Sequence, residues 1–126
     1  MIDPNRLTEM ARNALTEAQA IARRKQNNEV DTLHLLAALT DQDKGIVQGV
    51  LKKLELSDNA LSLALDRELD RLPKVSGSVD SSKIFITQAT NEVYTKAEEE
   101  AASLKDEYIS VEHLFLALAT IQKHSA

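Results

Sequence analysis

A segment of this chain is written twice, and that duplication limits what the chain can fold into more than any other feature. Residues 30–39 and 109–118 align at an offset of 79: Val30 with Ile109, Asp31 with Ser110, His34 with His113, Leu35 with Leu114, Ala38 with Ala117 and Leu39 with Leu118. Asp31 and Ser110 are both residue types that accept from the free backbone N–H groups of a first helical turn. The apolar residue before each can staple the chain as it enters the helix. The register extends upstream, where Thr8 meets Thr87, Thr16 meets Thr95, Ala18 meets Ala97 and Ala22 meets Ala101. A long helix, a turn and a capped helix are therefore repeated.

The first long helix is expected over residues 4–25, where Leu7, Met10, Ala11, Ala14, Leu15, Ala18, Ile21 and Ala22 recur at helical spacing and Pro4 suits a first turn. Its buried stripe is mostly alanine, so another backbone can approach closely and the helix should be central to its half. Arg23, Arg24 and Lys25 place cations at the negative end of the helix dipole. A solvated helix end is the better reading of this triplet, and an anion-binding patch the alternative. A capped second helix from Asp31 to about Thr40 is followed by a short third with Ile46, Val47, Val50, Leu51 and Leu54. In a fourth, capped by Ser57, Leu61, Leu65, Leu69 and Leu72 share one face until Pro73 stops it. Residues 1–73 thus form one four-helix repeat.

Residues 74–82, with Gly77 and four serines, have linker composition. The second repeat, residues 83–126, begins its long helix at about Ser82, and Ile86, Ala89, Val93, Ala97 and Ala101 restate the stripe of Leu7, Met10, Ala14, Ala18 and Ala22. Where the first repeat has two more helices the second has none, so a fragment, or a unit completed by its partners, is expected. The fold class is all-α: two pseudo-symmetric four-helix repeats, the second truncated, in one domain of 126 residues.

Composition removes several functions. The absence of cysteine excludes a disulfide scaffold, a cysteine nucleophile and a thiolate metal site. A net charge of −5 with no tryptophan, two phenylalanines and two tyrosines argues against nucleic acid as a partner. No segment is long and apolar enough to span a membrane. Asp3, Pro4, Asn5 and Arg6 interrupt any apolar run after Met1, so no signal peptide and a cytoplasmic location are expected. Gly45 and Gly49 do not make a phosphate-cradling loop, which needs four residues between its glycines and then Gly-Lys-Ser/Thr. Here three residues intervene, and Val50 and Leu51 follow. The three histidines, His34, His113 and His124, form no metal-ligand set, and no cofactor is expected in this chain. A metal bridging His34 and His113 is the sharper reading of those two. The better one is that each imidazole hydrogen-bonds within its own helix start or packs between the halves. Ser110, His113 and Asp106 share the composition of a hydrolase triad without a strained nucleophile turn or an oxyanion hole, and Ser110 is better used as a cap. No enzyme is expected.

The pair Val30-Asp31-Thr32-Leu33-His34-Leu35-Leu36-Ala37-Ala38-Leu39 and Ile109-Ser110-Val111-Glu112-His113-Leu114-Phe115-Leu116-Ala117-Leu118 resembles the Clp repeat, the N-terminal domain of Clp ATPases. Leu72-Pro73-Lys74-Val75-Ser76-Gly77-Ser78 and the run from Lys105 to Leu114 are more similar to ClpB-type disaggregases than to the ClpA or ClpC types. Two departures stand out: the missing last helices of the second repeat, and Leu33 where the second copy has Glu112. The resemblance implies a domain tethered before two AAA+ modules, absent from this chain, that would use ATP and magnesium in a homohexamer. It also implies that unfolded or aggregated polypeptide is engaged, with adaptor or co-chaperone proteins as further partners.

With no catalytic set, the work must be binding, and the natural concavity is the seam between the two halves. An extended client offers apolar side chains and unpaired backbone, so its site needs an apolar floor and a polar rim. Leu7, Tyr108, Val111 and Phe115 are the expected floor and Thr8, Asp106 and Glu112 the expected rim. Ordinary core packing is an equal account of each floor residue. An adaptor-docking domain of the ClpA or ClpC kind, and a stand-alone helical scaffold that self-associates, are the competing readings.

Overall fold

The computed structural model describes residues 2–42, 45–75 and 85–125. After a 3-10 turn at Pro4–Arg6, the chain forms α1 (Glu9–Arg24), β1 (Glu29–Val30), α2 (Thr32–Asp41), α3 (Ile46–Lys53), α4 (Asp58–Asp70), β2 (Phe85–Ile86), α5 (Gln88–Ser103) and α6 (Val111–Ser125). The 79-residue register holds at element level: α1 and α5 are both 16 residues long and start 79 positions apart, as do the first residues of α2 and α6. The linker expected over residues 74–82 lies, from residue 76 on, outside the described residues, as does the expected helix start at Ser82.

Both long helices begin later than their apolar spacing predicts. Thr8 Oγ1 accepts from Ala11 N–H and Thr87 Oγ1 from Thr90 N–H, each at 3.2 Å, so two threonines 79 apart cap α1 and α5. Ahead of the caps, Leu7 and Ile86 are extended rather than helical. Leu7 bridges Ile109 and Ile86 pairs with Val30, both in parallel. The two pairings are one pairing seen twice. The residue before the long helix of each repeat joins the residue before the capped helix of the other, and Thr8 N–H to Ile109 O (3.0 Å) is matched by Thr87 N–H to Val30 O (3.2 Å). Periodicity assigned Leu7 and Ile86 to helices because their spacing fits, but the backbone groups on either side of them are taken by the opposite repeat: Arg6 O and Thr8 N–H by Ile109, and Thr87 N–H by Val30. Pro4 correspondingly lies in the separate 3-10 turn, where Asp3 Oδ1 accepts from Asn5 N–H. Met10 drops out of the buried stripe and is exposed.

The alanines of the stripe are otherwise buried except Ala89, which is half-buried. Ala11, Ala14, Ala18 and Ala22 of α1 and Ala97 and Ala101 of α5 have no exposed surface. One core cluster joins Leu7, Leu35, Val93, Tyr94, Ile109 and Leu114 across the two repeats, and a second gathers Ile21, Val30, Ala38, Leu65 and Leu69 under α4. Ser57 caps α4, its Oγ accepting from Ala60 N–H at 3.4 Å, and Leu65 and Leu69 form the buried centre of the predicted leucine face. Lys25 then fastens α4 to the end of α1 through Asp66 (2.6 Å) and Asp70 (2.9 Å), giving one cation of the basic triplet a structural use. Those two bonds hold the Lys25 ammonium above its ordinary pKa and the Asp70 carboxyl below its own.

Candidate functional site at the seam of the two repeats

The reciprocal pairing leaves a concavity of about 250 Å³ beside it. Its walls are Leu15, Thr16 and Gln19 of α1, Ile2 and Pro4 of the N-terminal segment, and Val30, Ile86 and Thr90 across the seam, with Leu7 and Arg12 between them. Each wall follows from a local choice. The helical spacing of Leu15 and Gln19 puts them on the same face of α1. Val30 and Ile86 are brought in by their cross-pairing, and Thr90 donates through Oγ1 to the Val30 carbonyl at 2.9 Å. Arg12 Nη1 reaches Leu7 O at 3.4 Å and supplies the charge in an otherwise mainly apolar trough.

The seven residues expected at the site are divided among several surroundings. Leu7 (2% exposed) and Val111 (3%) belong to the core, Leu7 showing only an edge to the groove. Phe115 is half-buried against the same core, and Tyr108 is 48% exposed. Thr8 is half-buried, with its hydroxyl spent on the α1 cap. Glu112 is exposed and lines a different, shallow groove of about 340 Å³ with Gly45, Ile46, Gly49, Val50 and Lys53. Sequence reasoning therefore located a seam but missed Leu15, Val30 and Ile86 as its walls. The available signal was the apolar residue before each cap, treated as a staple within its own half.

The helix starts are built alike but are not chemically equal. In repeat two, Ser110 N–H donates to His113 Nδ1 (2.9 Å), the Ser110 hydroxyl lies 2.9 Å from the same nitrogen, and His113 Nε2 is 2.9 Å from Asp106 Oδ2. In repeat one, Asp31 N–H donates to His34 Nδ1 and His34 Nε2 meets Asn27 Oδ1, both at 2.9 Å. A backbone N–H facing Nδ1 makes that nitrogen the acceptor, so in each ring Nε2 carries the proton and donates. Each imidazole thus bonds within its own helix start, as expected. Ser110, His113 and Asp106 are nevertheless contiguous in space, which corrects the view that they resemble a triad in composition only. The same chain in repeat one ends on Asp31 and Asn27, so the shared geometry closes a helix start rather than serving a serine. Burial holds His34 below its ordinary pKa, and burial together with Glu17 pushes the Asp41 carboxyl up.

Gly45 occupies the N-cap position of α3 and Gly49 lies inside that helix, so no loop wraps a phosphate there. Among the described residues no group of three or more His, Asp or Glu side chains is placed to hold a metal, and no helix is long and apolar enough to cross a membrane.

A duplicated all-helical unit, with its two copies joined by reciprocal extended pairs, defines the class of domain. The chain belongs to the Clp repeat (R) N-terminal domain family, which it matches over residues 6–126. It is similar to the chaperone protein ClpB of Nitratidesulfovibrio vulgaris, 42% identical over 118 residues, and to that of Clostridium perfringens, 34% identical over 126 residues. It covers 14% of the length of each, against 93% and 99% of this chain. Its fold is similar to the crystal structure of the Hsp104 N-terminal domain from Candida albicans, with a TM-score of 0.79 at 24% identity, covering 89% of this chain and 72% of that one.

Proposed function

We propose that this chain is the polypeptide-engaging N-terminal domain of a ClpB-type disaggregase, delivering unfolded or aggregated chains to AAA+ modules that lie outside it. In this reading ATP and magnesium act in those modules, within a homohexamer in the cytoplasm. The observation that carries the reading is the mainly apolar groove at the seam. It lies beside Val30 and Ile86, whose backbones are already extended, so an extended client can bury side chains against Leu15 and Ile86 while it runs parallel to paired strands. From there the client path crosses the Leu7–Ile109 bridge to exposed Tyr108 and to Asp106, which form the rim together with Thr8. Glu112 and Phe115 flank this path on α6.

The test is titration of the domain with a permanently unfolded polypeptide, followed by residue-resolved NMR shifts. Shifts should centre on Leu15, Gln19, Val30 and Ile86. Gln19→Trp, at an exposed position on the groove wall, should fill the trough and weaken capture with little change in melting temperature. Unchanged capture by that variant, or shifts centred on α3 and α4, would rule the seam out.

A second reading has an observation of its own. Glu98, Glu99 and Glu100 give α5 an acidic outer stretch, partly offset by Lys96 (3.9 Å from Glu99 and 3.6 Å from Glu100), and such a surface suits a folded basic adaptor. The same titration with a folded basic protein separates the two, since saturation at a fixed stoichiometry with shifts on α5 marks the adaptor.

A further inference from the structure

Duplication produced two equivalent corners, one at the turn after each long helix, and only one of them sets a carboxylate against its histidine. In repeat one the corner residue is Asn27. It is 3% exposed, its Oδ1 is taken by His34 Nε2, and its Nδ2 donates to the Pro73 carbonyl at 3.0 Å. Every polar atom of that amide faces inward, and the end of α4 seals it. In repeat two the corresponding residue is Asp106. Its side chain is 49% exposed, Oδ2 accepts from His113 Nε2, and among the described residues no group bonds Oδ1. The histidine behind it is 7% exposed and doubly tied, because its Nδ1 is fixed by Ser110 N–H. A buried, oriented donor therefore grips one oxygen of an otherwise solvent-facing carboxylate, fixing the rotamer and directing the other oxygen outward.

We infer that His113 is a positioning residue that presents the Asp106 carboxylate to a lysine or arginine side chain of the client, so that the duplicated scaffold binds cationic groups at one corner only. The inference rests on the polypeptide engagement proposed above and adds a preference within it. A fixed acceptor loses less conformational entropy when it pairs than a free carboxylate does, which is what the buried imidazole contributes. Exposed Tyr108, two residues along, provides apolar surface beside the charge. The sealed Asn27 amide carries no charge and does not compete for the same side chain.

The pseudo-symmetry also provides the control. Two fluorescein-labelled twelve-residue peptides, one alternating leucine with lysine and the other leucine with glutamine, are titrated into the domain, and the ratio of their affinities is read. Asp106→Asn, at an exposed position, should fold like the parent and lower affinity for the lysine peptide roughly fivefold, the upper end for an exposed ion pair, with no change for the glutamine peptide. His113→Asn should lower the same ratio, and should add nothing in the Asp106→Asn background. His34→Asn makes the identical lesion in the other repeat, and should cost comparable stability while leaving the ratio intact. Equal affinity of the parent for both peptides, a ratio that survives Asp106→Asn, or a ratio lowered as much by His34→Asn as by His113→Asn overturns the inference. In those cases peptide capture itself persists, so polypeptide engagement stands. If the parent captures neither peptide, that engagement fails and the positioning role fails with it.

Discussion

Gln26 and Lys105 occupy the same left-handed turn, with φ of 61° and 60°, each one residue past the C-cap of a long helix. Each turn closes alike: Asn27 N–H reaches Ala22 O and Asp106 N–H reaches Ala101 O, both at 2.8 Å. These six-to-one bonds satisfy carbonyls that the helix end would leave free, in a geometry that glycine adopts most easily. Neither position is glycine, so both copies hold an L-residue in a conformation costing about 1 to 2 kcal/mol. Lys105→Gly should therefore raise stability by up to about 1 kcal/mol, the glycine's greater unfolded-state freedom offsetting part of the relief. Urea denaturation checks it, and a loss of stability would mean that the lysine side chain contributes more than its backbone costs.

Ala18 and Ala97 are both fully buried and stand 79 apart in α1 and α5. Enlarging either to leucine should destabilise the domain by about 1 to 3 kcal/mol through overpacking. Thermal unfolding of Ala18→Leu and Ala97→Leu should show losses of similar size. A neutral result at one of them would mean that its half of the duplication is loosely packed.

His34 has no exposed surface, and burial keeps it neutral to lower pH than the unfolded chain would. Its contribution to stability is thus complete above its ordinary value of 6.5 and is lost as pH falls from there through the depressed folded value. Melting temperature measured between pH 8 and pH 4 should decline on the acid side. In His34→Asn the part of that decline due to this group should vanish. A parent and variant whose curves stay parallel would exclude His34 as its source.

Leu39 and Leu118 stand 79 apart in the buried stripes of the two capped helices. Truncating either to alanine should cost about 2 to 5 kcal/mol, whereas Asp106→Asn should change stability by less than about 0.5 kcal/mol. Calorimetry should therefore separate the core variants from the rim variant before any binding is measured. A large loss of stability for Asp106→Asn would mean that the carboxylate holds the turn together rather than facing a ligand.

The sequence alone determined the duplication and its 79-residue register, because the two copies can be laid on each other letter by letter, and the helix caps at Asp31, Ser57 and Ser110 and the alanine stripe, because these are read from residues within a few positions of one another. The fold class followed from them, whereas the choice for each histidine between bonding at its own helix start and packing between the halves was made by the tertiary structure. The extended state of Leu7 and Ile86 was decided by tertiary structure. Their spacing fits a helix, but a partner 102 residues away at Ile109, or 56 away at Val30, takes the backbone groups that flank them. That pairing is what creates a groove walled by Leu15, Val30 and Ile86, while Leu7 and Val111, apolar enough to be a binding floor, were drawn into the core. The contrast between Asn27 and Asp106 is legible as two letters, yet whether each amide or carboxylate faces Pro73 or solvent depends on where α4 ends in space, which no local pattern encodes.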